Sequence, residues 1–190
     1  LGITKGVQKS LEHFGIYEEL DDLKKFVGPP MVESYTNLYG FSLEQYKEAL
    51  DVFHDYYRSV GIFECELYEG IEEMLNSLSK EYKLYVATSK PEREAKRVIE
   101  HFGLEKYFTF VGGSDGDFNT KRDTKTAVIE YVLETNKIMD RNFAIMVGDK
   151  SHDIVGAGNT GLKSVGVLYG YGGLEEFEGA NYIVKNVEDL

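Results

Sequence analysis

Residues 145–153 read Ile-Met-Val-Gly-Asp-Lys-Ser-His-Asp, and they carry the strongest local signal for the type of fold. An apolar run that starts at Phe143 and favours β-structure ends at Gly148, where the chain presents Asp149. A helix rich in small residues is predicted to follow, with Asp153 at its start. The pattern is typical of a buried parallel strand that leads through a loop into a helix. Because ligands bind at the carboxyl ends of strands in open α/β sheets, Asp149 occupies a place where function is expected.

The two acids also have a purely structural interpretation, in which Asp149 only caps the helix. A cap needs one short polar side chain, so it does not account for both carboxylates. Residues four apart lie on the same side of a helical turn, and carboxylate oxygens are ligands that Mg²⁺ prefers. We therefore expect Asp149 and Asp153 to be metal ligands for Mg²⁺.

Strands and helices alternate along the chain after residue 66. This alternation predicts an α/β fold with a parallel sheet that helices cover on both faces. The predicted strands are 83–88, 108–111, 143–147, 163–168 and 182–184, and the predicted helices are 70–80, 91–102 and 125–136.

Residues 1–66 have a different, all-helical pattern. Ile3, Val7 and Leu11 repeat at helical spacing, and Ser42 with Gln45 three residues later is a capping-box signal for a long amphipathic helix. We therefore predict two domains: a small helical bundle at 1–66, and an α/β domain at 67–190.

Composition narrows the classes of function. The 190 residues are 42% hydrophobic, which is enough for a core, and the formal net charge is −12. A strongly acidic chain argues against general binding of nucleic acid or of a membrane surface. Cys65 is the single cysteine of the sequence, which rules out an internal disulfide and favours a cytoplasmic location. We expect a monomer or a homodimer.

Two further sites carry possible phosphate chemistry. Thr88 ends a predicted strand and Ser89 follows it, just before the helix that Pro91 opens, so their hydroxyls and the helix N-terminus could hold a phosphate, although simple capping explains them equally well. Lys125 lies in the first turn of a helix, where a cation is unfavourable for the helix dipole. We interpret it as held there for an anion; Lys121 and Arg122 nearby leave a solvated charge run as the alternative.

Thr88 after one strand, Lys125 at a helix start, and Gly148-Asp149 with Asp153 after the next strand together resemble three motifs of the haloacid dehalogenase superfamily. The chain is similar in particular to phosphoglycolate phosphatase-like members. The likeness extends to Leu168-Tyr169-Gly170-Tyr171-Gly172 and to Phe26-Val27-Gly28-Pro29-Pro30. It implies a Rossmann-like parallel sheet core with a small all-helical cap domain at 1–66.

The resemblance implies a Mg²⁺-dependent phosphatase that acts on a small-molecule phosphate ester through an aspartyl-phosphate intermediate. Thr88 and Lys125 would be catalytic, Thr88, Ser89 and Lys125 would bind the substrate, and Asp149 and Asp153 would hold the metal. Phosphoglycolate, a nucleoside monophosphate and a sugar phosphate all stay open as substrates. A sugar phosphomutase of the same fold and a non-catalytic phosphate-binding module are the alternatives.

The family's first motif, an Asp-x-Asp-Gly-Thr run that carries the nucleophile, has no counterpart in this sequence. In the family this motif ends the first, central strand of the core. We therefore expect residues 67–190 to form a core that lacks its first strand. We also expect a protein of these 190 residues alone to be inactive.

Overall fold

The computed structural model of the protein describes residues 1–27, 31–116 and 121–190. Contacts between Cα atoms divide the chain into two units, Leu1–Glu66 and Leu67–Leu190. Among their described residues, the first has helices and irregular segments without strands, and the second combines helices with parallel strands. The α/β fold class predicted from the sequence is confirmed.

The described residues of the first unit hold three α-helices: α1 (Gly2–His13), α2 (Met31–Tyr39) and α3 (Leu43–Ser59). The predicted capping box at α3 is confirmed, because Ser42 Oγ accepts a hydrogen bond from the Gln45 amide and Gln45 Oε1 accepts one from the Ser42 amide. Short 3₁₀ turns cover Asp22–Phe26 and Gly61–Phe63. The predicted break at 28–30 lies outside the described residues.

The core of the first unit is built around Tyr35, which is fully buried. Its ring packs edge-on against Phe26 at a centroid distance of 5.1 Å, and its hydroxyl is hydrogen-bonded to Ser10 Oγ of α1. Burial raises the pKa of Tyr35 to about 12, against an ordinary value of 10. The interior of this unit therefore favours the neutral phenol.

Residues 67–190 hold four α-helices and five strands among those that the structure describes. In chain order these are α4 (Ile71–Leu78), β1 (Leu84–Pro91), α5 (Glu92–His101), β2 (Phe108–Ser114), α6 (Lys125–Thr135), β3 (Ile145–Gly148), α7 (Ser151–Asn159), β4 (Lys163–Val167) and β5 (Tyr182–Val184).

The strands pair in parallel but form two sheets. β1 pairs with β2, and β4 lies between β3 and β5. Within the described residues, β1 and β3 are edge strands of different sheets. Each therefore has one strand beside it and none on its opposite side. One apolar cluster nevertheless joins them, because Ala87 of β1 and Met146 of β3 both pack against the group formed by Ile129 and Leu133 of α6, Ala157 of α7 and Leu162.

The expectation that the strand before Asp149 is buried was wrong. Ile145 is 48% exposed and Val147 is 40% exposed, although the strand forms and runs into Asp149 as predicted. The physical reason is that β3 has only β4 beside it in the described chain. The alternating Met146 is covered, since it faces the apolar cluster.

The strand boundaries differ from the prediction most at β1 and β2, each of which ends three residues later than expected. Strand β1 was expected to end at Thr88 but extends to Pro91, and its regular pairing with β2 is interrupted between Thr88 and Pro91. Helix α5 consequently starts at Glu92, one residue later than expected. No helix in the described parts of the chain is both long and apolar enough to cross a membrane.

We predict that the first unit loses stability at alkaline pH through Tyr35. A folded-state pKa of about 12, above the unfolded value near 10, contributes stability that is fully present below pH 10 and is lost as the pH rises towards 12. Denaturant unfolding across this range should show a smaller decline for Tyr35→Phe than for the wild type. Tyr17→Phe, which removes an exposed hydroxyl, is the control and should decline like the wild type.

Candidate active site

Lys125 is the residue that joins the elements of the site. It opens α6 directly after Thr124, whose hydroxyl caps the helix by accepting a hydrogen bond from the Ala127 amide. The Lys125 ammonium donates to the Ala87 carbonyl of β1 at 3.1 Å and lies 2.8 Å from Asp153 Oδ1 of α7. Only 14% of the lysine side chain and 7% of the aspartate side chain are exposed.

Asp153 has both carboxylate oxygens engaged. Oδ2 accepts a hydrogen bond from the Lys150 amide at 3.2 Å, which closes the first turn of α7. Oδ1 has no hydrogen-bond partner among the described residues, so its contact with Lys125 is an ion pair without hydrogen-bond geometry. Glycines make room for the pair: a Cβ at Gly148 would collide with the Asp153 carboxylate, and one at Gly156 would lie 2.9 Å from Lys125 Cγ.

Asp149 has a different environment, although it is only four residues away. It is half-buried, and its Oδ2 accepts a hydrogen bond from the Tyr171 amide at 2.7 Å. The other oxygen has no hydrogen bond or ion pair to a described residue. A Cβ at Gly170 would collide with the Asp149 side chain, and one at Gly172 would collide with the Asp149 carbonyl oxygen. The backbone of these glycines therefore lies directly against Asp149.

Thr88 and Ser89 are separated by the irregularity in β1. Thr88 is half-buried, pairs in register with Gly113 of β2, and accepts a hydrogen bond from the Lys90 amide at 3.2 Å. Because Thr88 directly follows Ala87, the Lys125 ammonium lies next to it along β1. Ser89 is exposed, and the start of α5 lies three residues further on. Thr88, Ser89 and the N-terminus of α5 were expected to form one phosphate-binding cradle. Because β1 is longer than predicted, the helix starts one residue further from Thr88 along the chain than expected.

Lys121 and Arg122, the cationic residues close to Lys125 in the sequence, have surroundings different from those of Lys125. Arg122 lies 3.3 Å from Glu92 Oε2, and its guanidinium stacks 3.9 Å above the centre of the Tyr131 ring. Its amide also donates to Asp115 Oδ1. Lys121 is exposed. Of the three cations considered from the sequence, Lys125 is the one in contact with Asp153.

The donor set suits a hard divalent cation with few protein ligands. Mg²⁺ usually keeps several waters and is bound by one or two carboxylates together with substrate phosphate. Asp149 offers a half-exposed oxygen without a partner, whereas Asp153 offers an oxygen that already neutralises Lys125. No cluster of three or more His, Cys, Asp or Glu side chains suited to a metal occurs within 1–27, 31–116 and 121–190. Asp149, with one oxygen free of partners among the described residues, could therefore contribute a carboxylate ligand to such a cation.

Sequence reasoning missed Lys150 and Glu176. Glu176 Oε1 lies 2.6 Å from the Lys150 ammonium, and Oε2 accepts a hydrogen bond from the Ser151 amide at 2.9 Å. These hydrogen bonds, with that of the Ser151 side chain, lower the pKa of Glu176 to about 2. The same contact raises the pKa of Lys150. Glu176 lies beside Glu175 in the sequence, and no local pattern distinguishes the two.

Three tyrosines, Tyr68, Tyr169 and Tyr171, lie near Asp149. The rings of Tyr68 and Tyr169 meet edge-on at 5.7 Å, and Tyr171 is exposed. Burial raises the pKa of Tyr68 and of Tyr169, and the nearby charge of Asp149 adds to both shifts. The loop at 168–172 therefore lies beside Asp149.

Comparison with known proteins adds independent information. The family model of haloacid dehalogenase-like hydrolases matches residues 2–167. A 5'-nucleotidase of Pseudomonas aeruginosa is 34% identical over 177 residues, which are 92% of this chain and 79% of that protein. A phosphoglycolate phosphatase of Vibrio parahaemolyticus is 28% identical over 167 residues, 86% of this chain and 72% of that protein.

The fold has a similar counterpart among solved structures. The crystal structure of a putative phosphatase from Clostridium difficile superimposes with a TM-score of 0.92 at 42% identity. The match covers 99% of this chain and 88% of that one.

We predict that Gly148→Ala destabilises the second unit by about 1–3 kcal/mol, the usual cost of overpacking. The added methyl group would collide with an Asp153 carboxylate that Lys125 and the Lys150 amide hold in place. Denaturant unfolding measures the change in free energy. The matched control is Gly158→Ala in α7, where the methyl group meets nothing within 4 Å. Equal stability of the two variants would contradict the packing described around Asp153.

Proposed function

We propose that this chain, which belongs to the haloacid dehalogenase-like hydrolase family and is a phosphoric monoester hydrolase, is a Mg²⁺-dependent phosphatase that acts on small-molecule phosphate monoesters. The observation that carries the proposal is the position of Lys125. Its ammonium is fixed between the Ala87 carbonyl and Asp153, at the strand ends that also present Thr88 and Asp149.

Lys125 and Thr88 are the proposed phosphate-binding residues. The hydrogen bond to the Ala87 carbonyl and the ion pair with Asp153 restrain the Lys125 ammonium, so its remaining donors are oriented before substrate arrives. The Thr88 hydroxyl, one residue beyond the carbonyl that Lys125 contacts, can donate to a second phosphoryl oxygen. Fixed donors of this kind stabilise the charge that develops on the oxygens during transfer. Ser89, which is exposed, would contact the substrate from the outer side.

Asp149 is the proposed direct ligand of Mg²⁺, and Asp153 is proposed to act through water and through Lys125. When bound, Mg²⁺ would supply positive charge that screens an anionic nucleophile from an anionic phosphate. The Tyr171 amide fixes one Asp149 oxygen and so directs the other. Asp153 keeps the Lys125 ammonium at the strand ends, which is an orienting role.

We further propose that the nucleophilic aspartate is carried by an additional strand between β1 and β3. This aspartate would form an aspartyl-phosphate intermediate with the substrate. Both strands have a side without a partner in the described chain, and both rest on the same apolar cluster of α6 and α7. A strand there would pair with both and would cover β3. Turnover of a phosphate ester by a protein of these 190 residues alone would contradict this assignment.

The substrate is proposed to be a small phosphate monoester, without a choice among nucleotide, phosphoglycolate and sugar phosphate. Similarity to a 5'-nucleotidase and to a phosphoglycolate phosphatase supports the class. Because the chain carries a net charge of −12, attraction of an anionic ester depends on local groups, Lys125 above all. A panel of phosphate esters assayed with the full-length protein would choose among the three.

We predict that Asp149→Asn abolishes Mg²⁺-dependent hydrolysis of p-nitrophenyl phosphate by the full-length protein. The substitution keeps the shape and the acceptor for the Tyr171 amide but removes the charge that would bind the cation. Turnover is measured against Mg²⁺ concentration. Asp140→Asn, a change of the same kind at an acid that caps the turn Arg141–Phe143, is the control and should keep activity. Full activity of Asp149→Asn at ordinary Mg²⁺ would refute the assignment, and an inactive wild type would favour a non-catalytic phosphate-binding module.

We predict that Lys125→Met lowers kcat/KM by at least about a hundredfold, as expected for loss of a charge-stabilising donor. Lys121→Met removes the same charge four residues away, at an exposed position, and should leave turnover close to that of the wild type. Steady-state kinetics of the two variants provide the comparison, with thermal unfolding to confirm that both are folded. A larger defect in Lys121→Met would mean that the phosphate is held one helical turn earlier.

A further inference from the structure

We propose that Glu176 is a positioning residue that holds the 168–173 loop against Asp149 and so fixes the orientation of the Asp149 carboxylate. The inference deepens the proposed function, because an oriented Asp149 matters most if it binds Mg²⁺. The contacts that would position Asp149 lie within the chain and do not involve the metal.

The first step is the attachment of Glu176 to α7. Its two carboxylate oxygens have different partners, the Lys150 ammonium at 2.6 Å and the Ser151 amide at 2.9 Å. Both partners directly follow Asp149 in the chain. The amide lies at the positive N-terminal end of α7, so a carboxylate is favoured there by the helix dipole as well as by two charge-assisted hydrogen bonds. Glu176 therefore ties its own segment to the residues next to Asp149.

The second step is that both ends of the 168–173 loop are fixed. At its start, the Leu168 amide donates to the Val184 carbonyl of β5 at 3.0 Å. Past its end, Phe177 is buried against Gly166 of β4, where a Cβ would collide with the Phe177 ring. Glu176 and Phe177 are adjacent, so one anchors the segment to α7 and the other anchors it to the sheet. The loop between these anchors has little freedom.

The third step is the contact of the loop with Asp149. The Tyr171 amide donates to Asp149 Oδ2 at 2.7 Å, which selects one orientation of the carboxylate. Gly170 and Gly172 on either side approach Asp149 so closely that neither position has room for a Cβ. If Glu176 no longer held α7, the loop could withdraw and the Tyr171 amide would leave the carboxylate. Asp149 would then sample several rotamers, and only a fraction would suit the cation.

The test compares Glu176→Gln with Glu175→Gln in the full-length protein. Each removes one negative charge from the same turn, Leu174–Phe177, but Glu175 is exposed and Glu176 carries the contacts to α7. Hydrogen exchange of the Tyr171 amide reports the bond to Asp149, and amides of β4 in the same protein report general unfolding. Isothermal titration with Mg²⁺ gives the affinity, and turnover at increasing Mg²⁺ separates the half-saturating concentration from kcat.

Glu176→Gln is expected to speed exchange of the Tyr171 amide while β4 stays protected, and to weaken Mg²⁺ binding by about tenfold, the lower end for loss of a group that orients a metal ligand. The value of kcat at saturating Mg²⁺ should be retained, which a general loss of structure would not allow. Glu175→Gln should match the wild type in every readout.

The proposal is overturned if Glu176→Gln and Glu175→Gln behave alike, or if exchange in Glu176→Gln accelerates equally at Tyr171 and throughout β4. Failure of the proposed function looks different. If the wild type neither binds Mg²⁺ nor hydrolyses esters, the metal assignment is wrong, and the Tyr171 exchange rates alone decide whether Glu176 positions the loop.

Discussion

The buried ion pair between Lys125 and Asp153 is the interaction on which the rest of the second unit depends. Desolvating two charges is costly, and an ion pair in a protein interior often contributes little net stability. Here the lysine also donates to the Ala87 carbonyl, so one ammonium group joins β1, α6 and α7. Removing either charge would leave the other buried without a counterion, which is strongly unfavourable. The pair therefore favours this one arrangement of the three elements even if it adds little net stability.

That arrangement explains how two separate sheets can present one site. β1 and β3 share no ladder in the described chain, yet Ala87 and Met146 pack against the same apolar cluster, which includes side chains of α6 and α7. The helices therefore fix the distance between the strand ends through packing, and Lys125 adds a polar tie at the edge of the same layer. The apolar cluster determines where the strands lie, and the ion pair determines which charges appear at their carboxyl ends.

Local signals in the sequence predicted the secondary structure. They could not predict which distant segments come into contact. The capping box at Ser42 and Gln45, the helix at 125–136 and the strand at 182–184 follow from spacing within a few residues, and all three are found. The exposure of β3 could not be foreseen from an apolar run, because burial depends on which strands lie beside it. The partner of Lys125 is 28 residues away along the chain, and Glu176 was indistinguishable from Glu175 until its contacts with α7 were seen.

The two acids that first marked the site turn out to differ in kind. Asp153 is buried, its oxygens are engaged by a backbone amide and an ammonium, and its charge is neutralised within the protein. Asp149 is half-exposed, has one oxygen fixed by the Tyr171 amide, and keeps the other without a partner in the described chain. A carboxylate that is held on one side and unsatisfied on the other is suited to an external cation, whereas a carboxylate with an internal counterion is suited to orienting that counterion. Their spacing of four residues puts both at the same turn, and the glycines at 148, 170 and 172, which admit the surrounding groups so closely, give each its separate environment.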